Sequence, residues 1–392
     1  MLIGQKGAKK TLESISRRNL LRGLGASAAA GAAIPSLRAF RPFEELVEEP
    51  AASPDRIIRL DRNENAYGPS EKTMAVMREE ARFANRYPDA QPKLLTSRIA
   101  EVHGVTPEQV VVGCGSSEIV RAMVSTFLGP GKKLIMASPS WGLVAEFARK
   151  RGAEVVPVPL NRQFAHDLGA MLTRVDASTG MIYVCNPNNP TGSLTPRKNL
   201  EDFIHRLPSS TYVAIDEAYH QYSARSPASA SFIDQPIQDS RVVVTRTFST
   251  IYGLAGLRVG YAIAAPATAR LLAAASLPFG VNLIAVRAAA AALEDTEHLG
   301  SCVQKNTDDR QEFLNQVNAR MLRALDSQTN FVMLNTGRPA EEVIQHFSRN
   351  NVILPAPFSP LKTYVRVSLG TPQDMAEFWR VWDLLPTHHM ST

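Results

Sequence analysis

Polar residues suited to anion binding and proton chemistry stand directly after several apolar runs of this chain. Gly113-Cys114-Gly115-Ser116-Ser117 follows one run, where glycines and free helix N–H groups would favour a phosphate, although such a helix start often serves only as a cap. Asn186–Gly192 follows another and holds two Asn-Pro steps and a glycine, which predict a tight turn. Asp216 ends a third run, where its carboxylate either belongs to a binding site or only caps the helix that follows. Ligands of open parallel sheets lie beyond the carboxyl ends of the strands, so these segments predict one binding site.

The elements that must position these residues alternate between short apolar runs and helical patterns. This alternation predicts an α/β fold with a large domain, in which helices sandwich a mainly parallel seven-stranded sheet. Most of its runs are rich in β-branched residues and bounded by Gly, Pro, Asp or Asn, as buried strands are. The seven predicted strands are Gln109–Val112, Lys133–Ala137, Glu154–Val158, Met181–Val184, Tyr212–Ile215, Val242–Thr245 and Val259–Ala264.

A smaller α+β domain is predicted to follow the Ala-rich helix at Ile284–Leu293. Its predicted elements are helices at Asp308–Leu325 and Ala340–Phe347 and strands at Asn330–Leu334 and Thr363–Ser368. The predicted boundaries are a leader at 1–40, an arm at 41–58, the large domain at 59–290 and the small domain at 291–386. The beginning of the large-domain segment could pack with the small domain.

The basic balance of the chain belongs to its first 40 residues. The chain of 392 residues has 43 basic and 37 acidic residues, and residues 1–40 hold seven of the basic ones and one acidic one. The remaining 36 basic and 36 acidic residues cancel, which argues against a nucleic-acid partner. Ser16-Arg17-Arg18-Asn19-Leu20-Leu21-Arg22 before an uncharged Gly/Ala run resembles a twin-arginine export signal, the alternative being a surface amphipathic helix. We expect a periplasmic bacterial protein with no membrane anchor once the signal is removed, because the run is short for a span of about 20 residues.

The cysteines predict neither a metal site nor a disulfide framework. Cys114, Cys185 and Cys302 are an odd number of scattered residues without metal-ligand spacing. We therefore expect buried free thiols.

The segment Arg246–Tyr261 carries the strongest resemblance to a known family. Its Ser249-Thr250-Ile251-Tyr252-Gly253-Leu254-Ala255-Gly256-Leu257-Arg258-Val259-Gly260 resembles S-K-x-x-x-L-x-G-x-R-x-G of the class I/II, fold-type I aminotransferases, which use pyridoxal 5'-phosphate (PLP). The family's lysine, which holds PLP as a Schiff base, is replaced here by Thr250. Leu60–Pro69 and Arg86-Tyr87-Pro88-Asp89 are most similar to histidinol-phosphate aminotransferases, over about Arg59 to Trp382.

The resemblance implies a cofactor role for residues of each segment. Asn189 and Tyr219 would bind the phenolic oxygen of PLP, Asp216 would pair with its pyridinium nitrogen, and Trp141 would stack on its ring. The implied phosphate ligands are Gly115, Ser116, Ser117, Ser249, Arg258 and, from the neighbouring subunit, Tyr87. A homodimer with composite sites follows from this role of Tyr87.

Two residues are implied to bind the substrate, and one substrate contact of the subfamily is replaced. Tyr67 would face the substrate and Arg366 would clamp its α-carboxylate, with a surface strand arginine as the alternative for Arg366. Leu354-Pro355 falls where the subfamily carries a second substrate-binding arginine. The implied activity is amino transfer between an amino acid, or an amino-alcohol phosphate resembling histidinol phosphate, and a 2-oxo acid.

Thr250 leaves three hypotheses open. The chain is a slow PLP-dependent transaminase that uses another base, for which Tyr219, His220 and Lys362 are candidates. Alternatively, it is an inactive protein that binds PLP noncovalently, or an amino acid, without turnover. In the third hypothesis it is a natural or engineered variant of a standard aminotransferase, in which Thr250→Lys would restore activity.

Overall fold

A computed structural model describes residues 57–88, 91–223, 226, 228–234 and 239–386. The predicted export signal, most of the predicted arm and Asp89 of the subfamily motif lie outside the described residues. In the part of the chain that is described, no helix is long and apolar enough to cross a membrane.

A seven-stranded sheet forms the larger part of the fold, as predicted. Its strand order is β2-β8-β7-β6-β5-β3-β4, and only β8 runs antiparallel to its neighbours. The strands are β2 (Val110–Gly113), β3 (Lys133–Ser138), β4 (Glu154–Pro159), β5 (Thr179–Cys185), β6 (Tyr212–Asp216), β7 (Val242–Thr247) and β8 (Gly260–Ala264). Each overlaps one predicted strand, and most of the strands are buried, which leaves uninterrupted apolar runs in the sequence.

Helices cover both faces of this sheet. Alternate strand residues point to opposite faces, so Ile182 and Val184 join one apolar core while Met181 and Tyr183 join the other. The helices are α1 (Glu71–Glu80), α2 (Gln91–His103), α3 (Ser116–Phe127), α4 (Leu143–Lys150), α5 (Leu168–Leu172), α6 (Arg197–His205), α7 (His220–Ser223), α8 (Pro266–Ala274) and α9 (Leu283–Glu294).

The parallel register brings three polar segments to one edge of the sheet. Cys185 pairs with Asp216, and Asp216 pairs with Thr245, so the ends of β5, β6 and β7 lie side by side. The segments that follow these strands therefore meet at their carboxyl ends, as the sequence predicted.

The C-terminal residues build separate sheets around a third apolar core. Strands β12, β10 and β9 form an antiparallel sheet in that order, and β1 pairs with β11. Leu60, from the start of the described chain, belongs to this core. The elements are β1 (Ile58–Arg59), α10 (Thr296–Ala319), β9 (Arg323–Ala324), β10 (Phe331–Asn335), α11 (Ala340–Arg349), β11 (Val352–Ile353), β12 (Tyr364–Ser368) and α12 (Pro372–Asp383).

The predicted helix at 308–325 has the wrong boundaries. Helix α10 begins at Thr296, where the Asp295 side chain accepts from the His298 amide as an N-cap. It ends at Ala319, because Met321 takes a left-handed φ of 54° and the Leu322 amide turns back to the Val317 carbonyl. Residues 323–324 then pair with β10 as a strand.

Candidate active site

A cavity of about 490 Å³ opens at the carboxyl ends of these strands, and we call it the strand-end cavity. Residues from six separate segments of the sequence line it. Predicted site residues among them are Ser116, Ser117, Trp141, Asn189, Asp216, Tyr219, Ser249, Thr250 and Arg258. The cavity is also lined by Arg62, Asn63, Glu64 and Thr247, to which the sequence analysis assigned no role in the site.

One corner of the cavity is built to bind an anion. Arg258 donates from Nη1 to the Ser249 hydroxyl at 3.1 Å and from Nη2 to the Ser117 hydroxyl at 3.3 Å. Helix α3 begins beside them at Ser116, after Gly115 with a φ of 73°. A Cβ at Gly115 would lie 2.3 Å from Arg258 Nη2, so a side chain there would displace the guanidinium. The corner thus combines helix N–H groups, hydroxyls and a guanidinium, which suit a phosphate.

Asp216 supplies a buried carboxylate to the cavity. Its Oδ2 accepts from the Tyr183 hydroxyl at 2.7 Å, and its Oδ1 accepts from the Thr245 hydroxyl at 3.0 Å. Burial raises the pKa of Asp216 above its ordinary value, while these hydrogen bonds oppose that shift. The site therefore holds a carboxyl group that a cation would stabilise in its charged form.

Asn189 and Tyr219 form a polar pair beside this carboxylate. The Tyr219 hydroxyl accepts from Asn63 Nδ2 at 2.9 Å and from Asn189 Nδ2 at 3.3 Å. Burial raises the pKa of Tyr219, so its hydroxyl keeps its proton and remains a donor. The sequence analysis assigned no role to Asn63 in the site, and its hydrogen bond to Tyr219 is seen only in the structure.

Arg366 lies next to this pair, between two aromatic rings. Its Nη1 donates to Asn189 Oδ1 at 2.7 Å, and its Nη2 donates to the Asp61 carbonyl at 2.5 Å. The guanidinium carbon lies 5.4 Å from the Phe331 ring centre and 5.1 Å from that of Phe358. Its Nε is buried without a hydrogen-bond partner among the described residues. The arginine is therefore buried in the structure rather than on a strand surface, and it still has N–H groups to donate.

Thr250 lies in the cavity wall with its hydroxyl engaged. Its Oγ1 donates to the Ala218 carbonyl at 2.8 Å, and the residue is buried. The described residues that line the cavity include no lysine. Of the three candidate bases, only Tyr219 lines the cavity, whereas His220 lies among Asp234, Glu217 and Arg246 and Lys362 is exposed.

The two remaining predicted tyrosines lie outside the cavity of this chain. The Tyr67 hydroxyl donates to Asp309 at 2.7 Å, and Lys305 Nζ lies 4.5 Å from the centre of its ring. The Tyr67 side chain therefore contacts α10 in this chain, and its expected role facing the substrate stays a prediction. Tyr87 is 74% exposed, with its ring against that of Phe279.

The three cysteines are free thiols, but only two are buried. Cys185 and Cys302 are buried, and burial raises the pKa of the Cys185 thiol, which lies in the cavity wall. Cys114 is partly exposed, so the expectation of buried thiols was wrong for this residue, which lies in the turn before α3.

These residues fit the cofactor that the resemblance implies. PLP carries a phosphate, a protonated ring nitrogen and a phenolic oxygen. The cavity offers the Arg258 corner for the phosphate, the buried Asp216 for the nitrogen, and the Asn189–Tyr219 pair for the oxygen. The indole of Trp141 lines the same cavity and presents a flat apolar face.

Comparison with known proteins identifies the family. The profile of the family described as "Aminotransferase class I and II" matches residues 55–381, and the chain belongs to that family, as predicted. It is a fold-type I aminotransferase, a transaminase enzyme, and its cofactor is PLP.

The similar proteins include several histidinol-phosphate aminotransferases. The one from Akkermansia muciniphila is 35% identical over 337 residues, which cover 86% of this chain and 92% of that protein. Histidinol-phosphate aminotransferase 2 from Methylococcus capsulatus is 36% identical over 363 residues, 90% of this chain and 97% of that protein. The crystal structure of histidinol-phosphate aminotransferase from Sinorhizobium meliloti, in complex with PLP, matches with a TM-score of 0.78 at 27% identity, covering 90% of this chain and 98% of that one.

A buried ion pair behind the cavity should contribute strongly to stability. Arg246 Nη2 lies 2.9 Å from Glu217 Oε2, and both side chains are almost fully buried. We expect Arg246→Met to lower the free energy of unfolding by about 3–5 kcal/mol, because the Glu217 charge stays buried without its partner. Urea denaturation without cofactor measures this loss. The matched control is Lys198→Met, in an exposed pair with Asp202, where we expect about 1 kcal/mol or less. Equal losses in the two variants would contradict this interpretation.

Proposed function

We propose that this aminotransferase transfers amino groups slowly, because Thr250 stands at the position of the family's lysine. The proposal is supported above all by the location of Thr250: it lies in the wall of the strand-end cavity, whose described lining contains no lysine. A hydroxyl cannot form the covalent link to PLP that a lysine amine makes, and it is a poor base near neutral pH. Loss of a general base alone costs about 10²–10⁴ in rate.

The other residues of the cavity would bind and orient the reactants. PLP, when bound, acts as the electron sink for the bond broken at the substrate α-carbon. Asp216 would hold the proton on the ring nitrogen, and Asn189 and Tyr219 would donate to the phenolic oxygen. Arg366, with N–H groups still to donate, would bind the substrate carboxylate.

The donor is proposed to be an α-amino acid or a histidinol-phosphate-like amino-alcohol phosphate, and the acceptor a 2-oxo acid. The histidinol-phosphate aminotransferases among the similar proteins support the second donor class. Against it, Leu354 and Pro355 place no charge where the subfamily carries an arginine. Arg366 remains for an α-carboxylate.

We therefore expect kcat/KM for L-glutamate to exceed that for histidinol phosphate. Initial rates of L-glutamate consumption and of histidinol-phosphate consumption, each measured with PLP and the same 2-oxo acid acceptor such as pyruvate, compare the two donors. Arg366→Gln should lower kcat/KM for L-glutamate about 10-fold or more, as loss of a charge-assisted hydrogen bond does. A faster reaction with histidinol phosphate would contradict this order of donors.

A second candidate function is PLP or amino-acid binding without turnover, which the hydroxyl of Thr250 in the cavity wall favours. It shares every binding contact with the first candidate. Under it, PLP and an amino donor would bind and remain unchanged over hours.

We also propose a periplasmic homodimer exported by the twin-arginine route. The twin-arginine pair and the charge asymmetry of residues 1–40 support export. The adjacent exposed rings of Tyr87 and Phe279 support a dimer, since a second copy would cover them. Analytical ultracentrifugation of the mature chain and fractionation of cells expressing an Arg17→Lys, Arg18→Lys variant test the two parts separately.

A further inference from the structure

A second cavity, of about 420 Å³, lies apart from the strand-end cavity and shares no lining residue with it. It is formed by the segment after β4, the start of α5 and one face of α6. The polar residues that carry the argument are Asn161, His166, Thr195, Asp202 and Arg206.

His166 contributes a buried donor that has no partner. Its Nδ1 lies 2.7 Å from the Thr195 hydroxyl oxygen, which also accepts from the His166 amide at 3.3 Å. Within the described residues the Thr195 hydroxyl has no other acceptor for its hydrogen, so it donates to Nδ1. The imidazole proton is then on Nε2, which is buried without a partner in the described part of the chain. Burial lowers the pKa of His166 to about 4, so the ring is neutral at pH 7.

Asn161 and Arg206 supply further donors to the same cavity. Asn161 Oδ1 accepts from the Gln163 and Ala165 amides, which leaves its NH₂ group for a ligand. Arg206, exposed at the end of α6, makes no side-chain hydrogen bond or ion pair to the described residues. These donors match a carboxylate.

Asp202 adds an acceptor of opposite charge. It lies one helical turn before Arg206 and, among the described residues, its side chain pairs with the exposed Lys198 at 3.1 Å. Three donors and one carboxylate around the same cavity suit a ligand that carries both a negative and a positive charge.

We propose that this cavity binds a small α-amino acid zwitterion. Its carboxylate accepts from His166 Nε2, Asn161 and Arg206, and its ammonium group donates to Asp202. The site is separate from the transamination site and does not depend on the reaction proposed above.

Isothermal titration of the full chain with sarcosine tests the proposal. Sarcosine carries both charges, and as a secondary amine it is not a transamination donor. Acetate and dimethylamine carry one charge each and serve as matched probes. We expect sarcosine to bind at one site per chain, at least about 10-fold more tightly than either probe, since each lost charge-assisted bond contributes about 1.5–3 kcal/mol.

Three variants assign the binding to this cavity. His166→Phe and the exposed Arg206→Met should each weaken sarcosine binding about 10-fold or more, whereas Arg366→Gln, beside Asn189 of the strand-end cavity, should leave it unchanged. Arg206→Met keeps the test valid if His166→Phe does not fold. No sarcosine binding, binding that survives Arg206→Met, or binding lost only in Arg366→Gln would each overturn the proposal. Acetate binding as tight as sarcosine binding would overturn the zwitterion assignment.

Discussion

Replacing Thr250 by lysine is expected to raise the rate of amino transfer by about 10²-fold or more. The change supplies an amine that can link to PLP and act as a general base, which together contribute at least this factor. The Thr250 hydroxyl donates only to the Ala218 carbonyl, and the cavity of about 490 Å³ leaves room for a longer side chain.

The measurement is the rate of L-glutamate conversion by Thr250→Lys and by the wild-type chain at saturating PLP. Thr250→Met is the matched control, because it has a long side chain without an amine, and it should show no gain. If the lysine variant is no faster than the methionine variant, residue 250 is not the lysine position. That result would also reject the view of this chain as a substituted standard aminotransferase.

Asp216→Asn is expected to lower the transamination rate about 10²-fold or more while the protein stays folded. The asparagine cannot hold a proton on the ring nitrogen of PLP, and removing one preorganised electrostatic contact typically costs 10²–10³. Without cofactor the same change removes a buried charge. Tyr183 and Thr245 can still hydrogen-bond an amide at this position.

The pH dependence of stability tests whether Asp216→Asn removes a buried charge from a chain that stays folded. Burial raises the pKa of Asp216 in the folded chain above its ordinary value of 3.8, so the folded state binds this proton more tightly than the unfolded state. The stabilising contribution is complete below pH 3.8 and is lost as pH rises through the folded pKa. In thermal unfolding without PLP, Asp216→Asn should therefore gain stability relative to wild type as pH rises to 7.

Glu297→Gln, on an exposed position of α10, is the matched control and should change neither activity nor this pH trend. A constant stability difference between Asp216→Asn and wild type across this range would contradict the direction of the Asp216 shift.

The strands of the large sheet could be predicted because most of them are short buried apolar runs, several of them rich in β-branched residues. Val242–Thr247, for example, is buried throughout. The two-residue strands β1, β9 and β11 could not, because runs of two residues carry no periodic pattern and are defined only by their pairing partners. The end of α10 was also missed, since Met321, without a glycine signal, takes the left-handed conformation that ends the helix.

The same distinction holds for the site. Residues at or shortly after the carboxyl ends of strands, such as Asp216 and Asn189, were predicted because motif and topology both point to them. The residues that hydrogen-bond the site residues were not predicted. Asn63, the partner of Tyr219, is 156 positions away in the sequence, and Tyr183 and Thr245, the partners of Asp216, lie within apolar strands. The direction of Tyr67 toward Asp309 likewise depends on the packing of α10, which no local pattern shows.

Single-turnover nitrogen transfer tests the central claim most directly. The full chain with one equivalent of PLP is incubated for hours with ¹⁵N-labelled L-glutamate, and the cofactor is analysed by mass spectrometry. We expect ¹⁵N-labelled pyridoxamine phosphate and an equal amount of 2-oxoglutarate, formed faster than without protein and about 10²-fold or more slowly by Asp216→Asn. PLP that stays bound but gains no label would contradict slow transamination and establish binding without turnover.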